Sequence, residues 1–133
     1  MEGMVFGDIY LQEHRDWIDG VCREAGVTPL FPLWGRDTRE LVKEMIRKGV
    51  RAVVVATNAK LLGKEWLGRR VDGEFLELLP EHIDVCGERG EFHTFVFDGP
   101  LFAKPILFRT GTKTRRNDQW LMEIVPENSS EAA

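Results

Sequence analysis

Between Cys86 and Phe95 the chain reads Cys-Gly-Glu-Arg-Gly-Glu-Phe-His-Thr-Phe, which sets two carboxylates, a guanidinium, an imidazole and a hydroxyl among two glycines. Gly87 and Gly90 suit a loop that curls around a ligand, because glycine tolerates positive φ and close backbone approach. Glu88 and Glu91 stand three apart, and a curled loop would aim both at one point. Such a pair fits a general base, a receptor for an amine or ammonium, or one side of a magnesium site. The bland alternative is a pair of solvated charges, one of them matched by Arg89. His93 and Thr94 follow at once, where the loop runs into the apolar stretch Phe95-Val96-Phe97 and the turn Asp98-Gly99-Pro100.

A second set of polar residues stands near the start. Met4-Val5-Phe6 reads as a buried strand ending at Gly7-Asp8, and ligands of open α/β sheets gather outside the carboxyl ends of strands. Asp8 is therefore a candidate site residue, or else the cap of the next helix. That helix is expected over Tyr10 to Ala25, with Gly26 closing it. His14 falls on or beside its apolar stripe and reads as a core-edge residue. Val27 to Leu33 reads as a second short strand, and Asp37 with Glu40 makes a capping box for a helix that ends at Gly49. Arg36, just before that cap, is freer to bind an anion.

Val50 to Ala56 contains Val53-Val54-Val55 without alternation, the pattern of a strand buried on both faces in a parallel sheet. The order so far is βαβαβ. A helical or looped excursion around Trp66 and a brief helix from Asp72 follow. Strands are then expected at Phe92 to Phe97, Pro105 to Arg109 and Gln119 to Val125, with a turn at Thr110-Gly111-Thr112-Lys113. Lys113, Arg115 and Arg116 read as a solvated hairpin tip. The fold class is α/β: a parallel sheet flanked by helices, then a C-terminal β-rich subdomain.

At 133 residues, 43% hydrophobic and 30% charged, the chain suits one compact domain with a real core. A net charge of -4 disfavours nucleic acid as a partner. Cys22 and Cys86 form no C-x-x-C pair, so neither a zinc ribbon nor a disulfide framework is signalled, and a reducing cytoplasm is the simplest home. No basic leader or long apolar span is read, hence no membrane. A hydrolytic metal site built from His14, His93, Glu88 and Glu91 lacks any H-E-x-x-H spacing, and no metal ligands are assigned.

Four stretches taken together, Val5-Phe6-Gly7-Asp8-Ile9, Pro32 to Asp37, Trp66-Leu67-Gly68-Arg69, and Cys86 to Phe95 with Gly99-Pro100-Leu101-Phe102, resemble the C-terminal part of the diphthine–ammonia ligase family. These are N-type ATP pyrophosphatases of the PP-loop superfamily. The resemblance implies a truncated PP-loop (HUP-like) unit over 1–57 and an acceptor-substrate subdomain over 58–127; as a chain end, 128–133 is expected to be a disordered tail. It also implies a reaction in which ATP, with magnesium, activates a carboxylate and ammonia then forms the amide. In the founding case the acceptor is diphthine, a modified histidine of elongation factor 2. Carried over by position, Gly7, Asp8 and Arg36 would border the nucleotide. Glu88, Glu91 and Thr94 would be catalytic, and Gly87, Gly90 and His93 would bind substrate. No serine-glycine-glycine-lysine-aspartate-serine loop is found. The expectation is thus a chain that lacks the N-terminal PP-loop half, is inactive alone, and needs a PP-loop-bearing partner chain or a homo-oligomer. The alternative is a non-catalytic module that binds a small molecule or protein.

Overall fold

The computed structural model describes residues 2–127. The expected tail, 128–133, lies outside them. Strand β1 (Gly3–Val5) pairs in parallel with β2 (Thr28–Leu30), and helix α1 (Gln12–Ala25) joins the two. Helix α2 (Thr38–Arg47) follows and leads into β3 (Arg51–Asn58). A single 3-10 turn (Lys64–Trp66) and the short α3 (Gly73–Leu78) precede β4 (Phe92–Asp98), β5 (Phe108–Arg116) and β6 (Gln119–Pro126). An N-terminal parallel sheet flanked by helices therefore meets a C-terminal antiparallel unit, which is the two-part fold expected.

Local chemistry sets the helix ends. Gly26 closes α1 at φ 71°, a left-handed cap that any side chain would strain. Asp37 caps α2 by accepting from the Glu40 N–H at 3.0 Å, and Asp72 caps α3 by accepting from Phe75 N–H at 2.9 Å. Asp8 is not the cap of α1: Leu11 stands there and offers no side-chain acceptor.

Three expectations are corrected by the sheets. The run Val53-Val54-Val55 lies in an antiparallel four-stranded sheet of order β4-β3-β6-β5, not in the parallel one. Burial on both faces marks a central strand of either kind, so an apolar run cannot tell them apart. Met4 and Val5 are not buried; they are 47% and 65% exposed. Thr110 to Lys113 is no turn but an irregular stretch inside β5, and the chain reverses at Asn117, φ 56°.

The core gathers between the antiparallel sheet and the segment from Leu62 to Val85. Phe75 lies at its centre, 2% exposed, with its ring edge-on to Trp66 at 5.8 Å and to Phe92 at 5.4 Å. Phe92 opens β4 directly after the glycine-rich loop. The core thus anchors the C-terminal end of that loop.

Candidate functional site

Residues 84–91 form a loop of two successive turns, with Gly87 N–H donating to Asp84 O at 2.9 Å and Gly90 N–H to Gly87 O at 3.1 Å. Gly87 is required: its φ is 64°, and a Cβ there would lie 2.8 Å from the carbonyl oxygen of Phe92. Two carboxylates brace the turns from inside. Glu91, 3% exposed, accepts from Asp84 N–H and from Arg89 N–H, both at 2.8 Å. Asp84 Oδ2 accepts from Glu88 N–H at 3.2 Å and from the Tyr10 hydroxyl at 3.0 Å.

The two glutamates therefore do not converge. Glu91 turns inward to backbone donors, while Glu88 faces a cleft of about 770 Å³ that it lines with His14, Gly87, Gly90, His93 and Thr94. An adjoining apolar cavity of about 230 Å³, bordered by Gly7, Ile9 and Leu33, opens onto Glu88 and Thr94 as well. Asp8 reaches the same region, its Oδ1 lying 3.9 Å from Nδ1 of His14. Burial, and then the carboxylates of Asp84 and Asp8, push the Glu88 carboxyl upward, with His14 opposing. A carboxyl raised in this way is a better proton acceptor near neutral pH than an exposed one.

Arg36 stands elsewhere. Its guanidinium bonds Glu44 Oε2 at 2.7 Å, and Lys48 together with Arg36 holds Glu44 down to about 2. The expected anion-binding guanidinium is thus already paired, and it also lines a pocket of about 690 Å³ with Tyr10, Asp84 and Arg89.

Tyr10 and Asp84 border this region without being singled out in the sequence, and His14 is weighed there only as a core-edge residue or as part of a metal site. Tyr10 sits on an apolar helical stripe and Asp84 in no motif. His14 reads as a core-edge residue, yet its side chain is 63% exposed beside Asp8. Tyr10 ties the N-terminal segment to the loop; burial and the bond to Asp84 raise its hydroxyl to about 12, so it donates throughout the physiological range. Arg89 lies over the Tyr10 ring at 5.4 Å. Cys86 is structural rather than nucleophilic: burial, then Asp84 and Glu88, push its thiol to about 12, and its Sγ donates to Thr38 O at 3.5 Å.

Among the described residues, no three His, Cys, Asp or Glu side chains gather as a metal site. One or two carboxylates are what magnesium takes from protein when it travels on nucleotide phosphates, and Asp8 at the end of β1 offers one.

Fold and cleft together define a two-part α/β protein in which an acidic loop of the antiparallel unit faces the carboxyl end of a parallel one. A model of the diphthamide synthase C-terminal domain matches residues 37–127, and a model of the diphthamide synthase N-terminal domain matches residues 1–29. The chain belongs to the diphthamide synthase family. The diphthine–ammonia ligase of Rattus norvegicus is 36% identical over 117 residues, covering 83% of this chain and 43% of the rat protein. That of Homo sapiens is 34% identical over 112 residues, covering 80% of this chain and 42% of its own length. In Schizosaccharomyces pombe the figures are 31% over 111 residues, 80% and 18%. The chain spans about two fifths of the length of the mammalian relatives it matches.

The N-terminal match overturns the expectation that only the C-terminal part is present. The matched stretch takes in strand β1 and helix α1. The inference of a chain inactive alone for want of the N-terminal domain falls with it, as does the ground for a partner chain supplying that domain. Among the described residues, no helix is long and apolar enough to cross a membrane.

Proposed function

We propose that the chain forms the acceptor side of an ATP-dependent amide-forming ligase, acting on ammonia and a carboxylate of the diphthine type. The observation that carries this reading is the Glu88 carboxylate, held at the cleft by a braced loop and pushed toward neutrality by burial and by Asp84. ATP, with magnesium, supplies activation of the acceptor carboxyl. The rest falls to the chain's own residues. Gly7 and Asp8, at the end of β1, border the nucleotide. Glu88 receives ammonium and takes its proton, so that neutral ammonia is the nucleophile.

Desolvation makes this transfer feasible, because it raises the pKa of a carboxyl while lowering that of an ammonium. Thr94 and His93 line the acceptor side, and Gly87 and Gly90 leave room beside Glu88. Glu91 contributes by holding the loop through Asp84 and Arg89.

The test is AMP release in the presence of ATP, magnesium, ammonium and a diphthine-bearing acceptor. Glu88→Gln should lower ammonium-dependent release about 100-fold or more without loss of fold, the scale of a lost general base. Turnover within a few-fold of wild type in a folded Glu88→Gln protein, or no ammonium dependence in wild type, would sink the reading.

A further inference from the structure

We propose that Arg15 is the receptor for an oxyanion, a phosphate or a carboxylate, at the carboxyl ends of strands β1 and β2. Its guanidinium carbon stands 4.5 Å from the ring centroid of Phe31 and 4.6 Å from that of Trp34. Phe31 in turn stacks on Phe6 at 5.7 Å and meets Trp34 edge-on at 6.1 Å. Phe6 directly follows β1 and Phe31 directly follows β2, so the aromatic platform is made by the two strand ends. Backbone bonds join them into one rim, Phe6 N–H to Leu30 O at 2.9 Å and Gly35 N–H to Ile9 O at 2.8 Å. This is where parallel α/β units place ligands.

The second observation is what Arg15 does not touch. A guanidinium carries five donors and stays charged. Yet among the described residues Arg15 has no ion pair and its side chain has no hydrogen-bond acceptor, although it is half-buried. Arg36, Arg39, Arg69 and Arg115 each find an oxygen, on Glu44, Leu76, Glu65 and Asn117 respectively, and the other arginines without one, Arg89 among them, are exposed. Stacking on two rings fixes the guanidinium without using its N–H edge. A planar fork held in this way is preorganised for two parallel bonds to one oxyanion, which a lysine could not make. Arg15 thus supplies the free cation that Arg36, locked to Glu44, does not.

Phosphate as the source rests on the ATP-dependent reading above; the oxyanion site itself does not. The test is a titration of the full 133-residue chain with inorganic pyrophosphate, ATP and acetate in separate arms, following the Arg15 Nε–Hε resonance in wild type and the backbone amides of Phe6, Phe31 and Trp34 in both proteins. That resonance is assigned by its loss in Arg15→Lys. The expected result is a saturable shift in wild type and about tenfold weaker binding in Arg15→Lys, where charge remains and the fork is lost. Saturation by pyrophosphate and ATP well below acetate assigns phosphate, and the reverse order assigns carboxylate.

An Arg15 signal unmoved in all three arms, or equal affinity in a folded Arg15→Lys protein, overturns the proposal. The wild-type titration stands even if the variant folds poorly. Binding at Arg15 without AMP release leaves this site in place while the ligase reading fails, and AMP release with an unmoved Arg15 does the opposite.

Discussion

Strands β1 and β2 present Met4, Val5 and Leu30 at 47%, 65% and 49% exposure, whereas β3 carries Val54 at 0% and Thr57 at 1%. The parallel pair is three residues long on each side, and the antiparallel sheet runs to nine. The principal core cluster draws on β3, β4, β6 and the α3 region, with Val42 and Ile46 reaching it from α2 and no residue from β1, α1 or β2. Free energy of folding is therefore concentrated in the C-terminal unit. Part of the side chemistry beside the loop, Asp8, Tyr10 and His14, comes from the lightly packed one. Recognition placed on the less stable side of a domain is free to adjust on binding, while the buried side fixes the reference frame.

The sharpest way to break this contrast lies in the loop between the two units. Glu91→Ala removes two charge-assisted bonds and strands the N–H groups of Asp84 and Arg89, so it should cost about 3 kcal/mol in urea unfolding. A loss below about 1 kcal/mol would mean that the loop is not part of the stable unit.

Tyr10→Phe is the intermediate case. It deletes the hydroxyl that joins the N-terminal segment to Asp84, and should cost about 1 kcal/mol. Amides of α1 should then exchange faster while those of β3 keep their protection. Equal acceleration in both would erase the distinction between the regions.

Glu88→Gln should have the smallest effect on stability, and its sign depends on pH. Glu88 titrates higher in the folded protein, so the native state loses stability as pH rises from the unfolded pKa, about 4.3, through the folded value. The variant escapes that loss. Its melting temperature should exceed wild type at pH 7 and converge on it below about pH 4. A difference independent of pH would show that Glu88 is not held in a desolvating, acidic setting.

Short-range features were legible in the sequence because they depend on neighbours in the chain. The Gly26 cap, the Asp37 cap and the left-handed turns at Gly87 and Gly90 are of this kind. The two-part fold was legible from the change to strand and turn patterns from Phe92 onward. Strand direction was not, since an unbroken valine run reports burial and carries no sign of which way its neighbours run.

The contiguous residues Gly87, Glu88, Gly90, His93 and Thr94 line one cleft. The opposite orientation of Glu91 escaped notice because its partners are backbone donors, which every sequence supplies equally. The Arg36–Glu44 ion pair was illegible for a related reason: Glu44 lies eight positions on, a spacing with no fixed meaning until helix α2 turns it back toward Arg36. Tyr10 and Asp84, 74 positions apart, are joined only by the tertiary fold.

The order of strands also sets a schedule for synthesis. Strand β3 is complete by Asn58, yet one of its neighbours is β6, where Ala56 faces Leu121 and Met122 is buried at 6%. Closing a contact across some 65 positions is entropically slow, and here it cannot begin until the ribosome has passed β6. The parallel pair, linked locally through α1, can form far sooner. The valine end of β3 is bonded soon after synthesis by the Gly68 to Val71 segment, through Val54 N–H to Arg69 O and Gly68 N–H to Val54 O, both at 2.9 Å. Until β6 emerges, Ala56 to Asn58 therefore keep one open edge, a natural point of contact for chaperones.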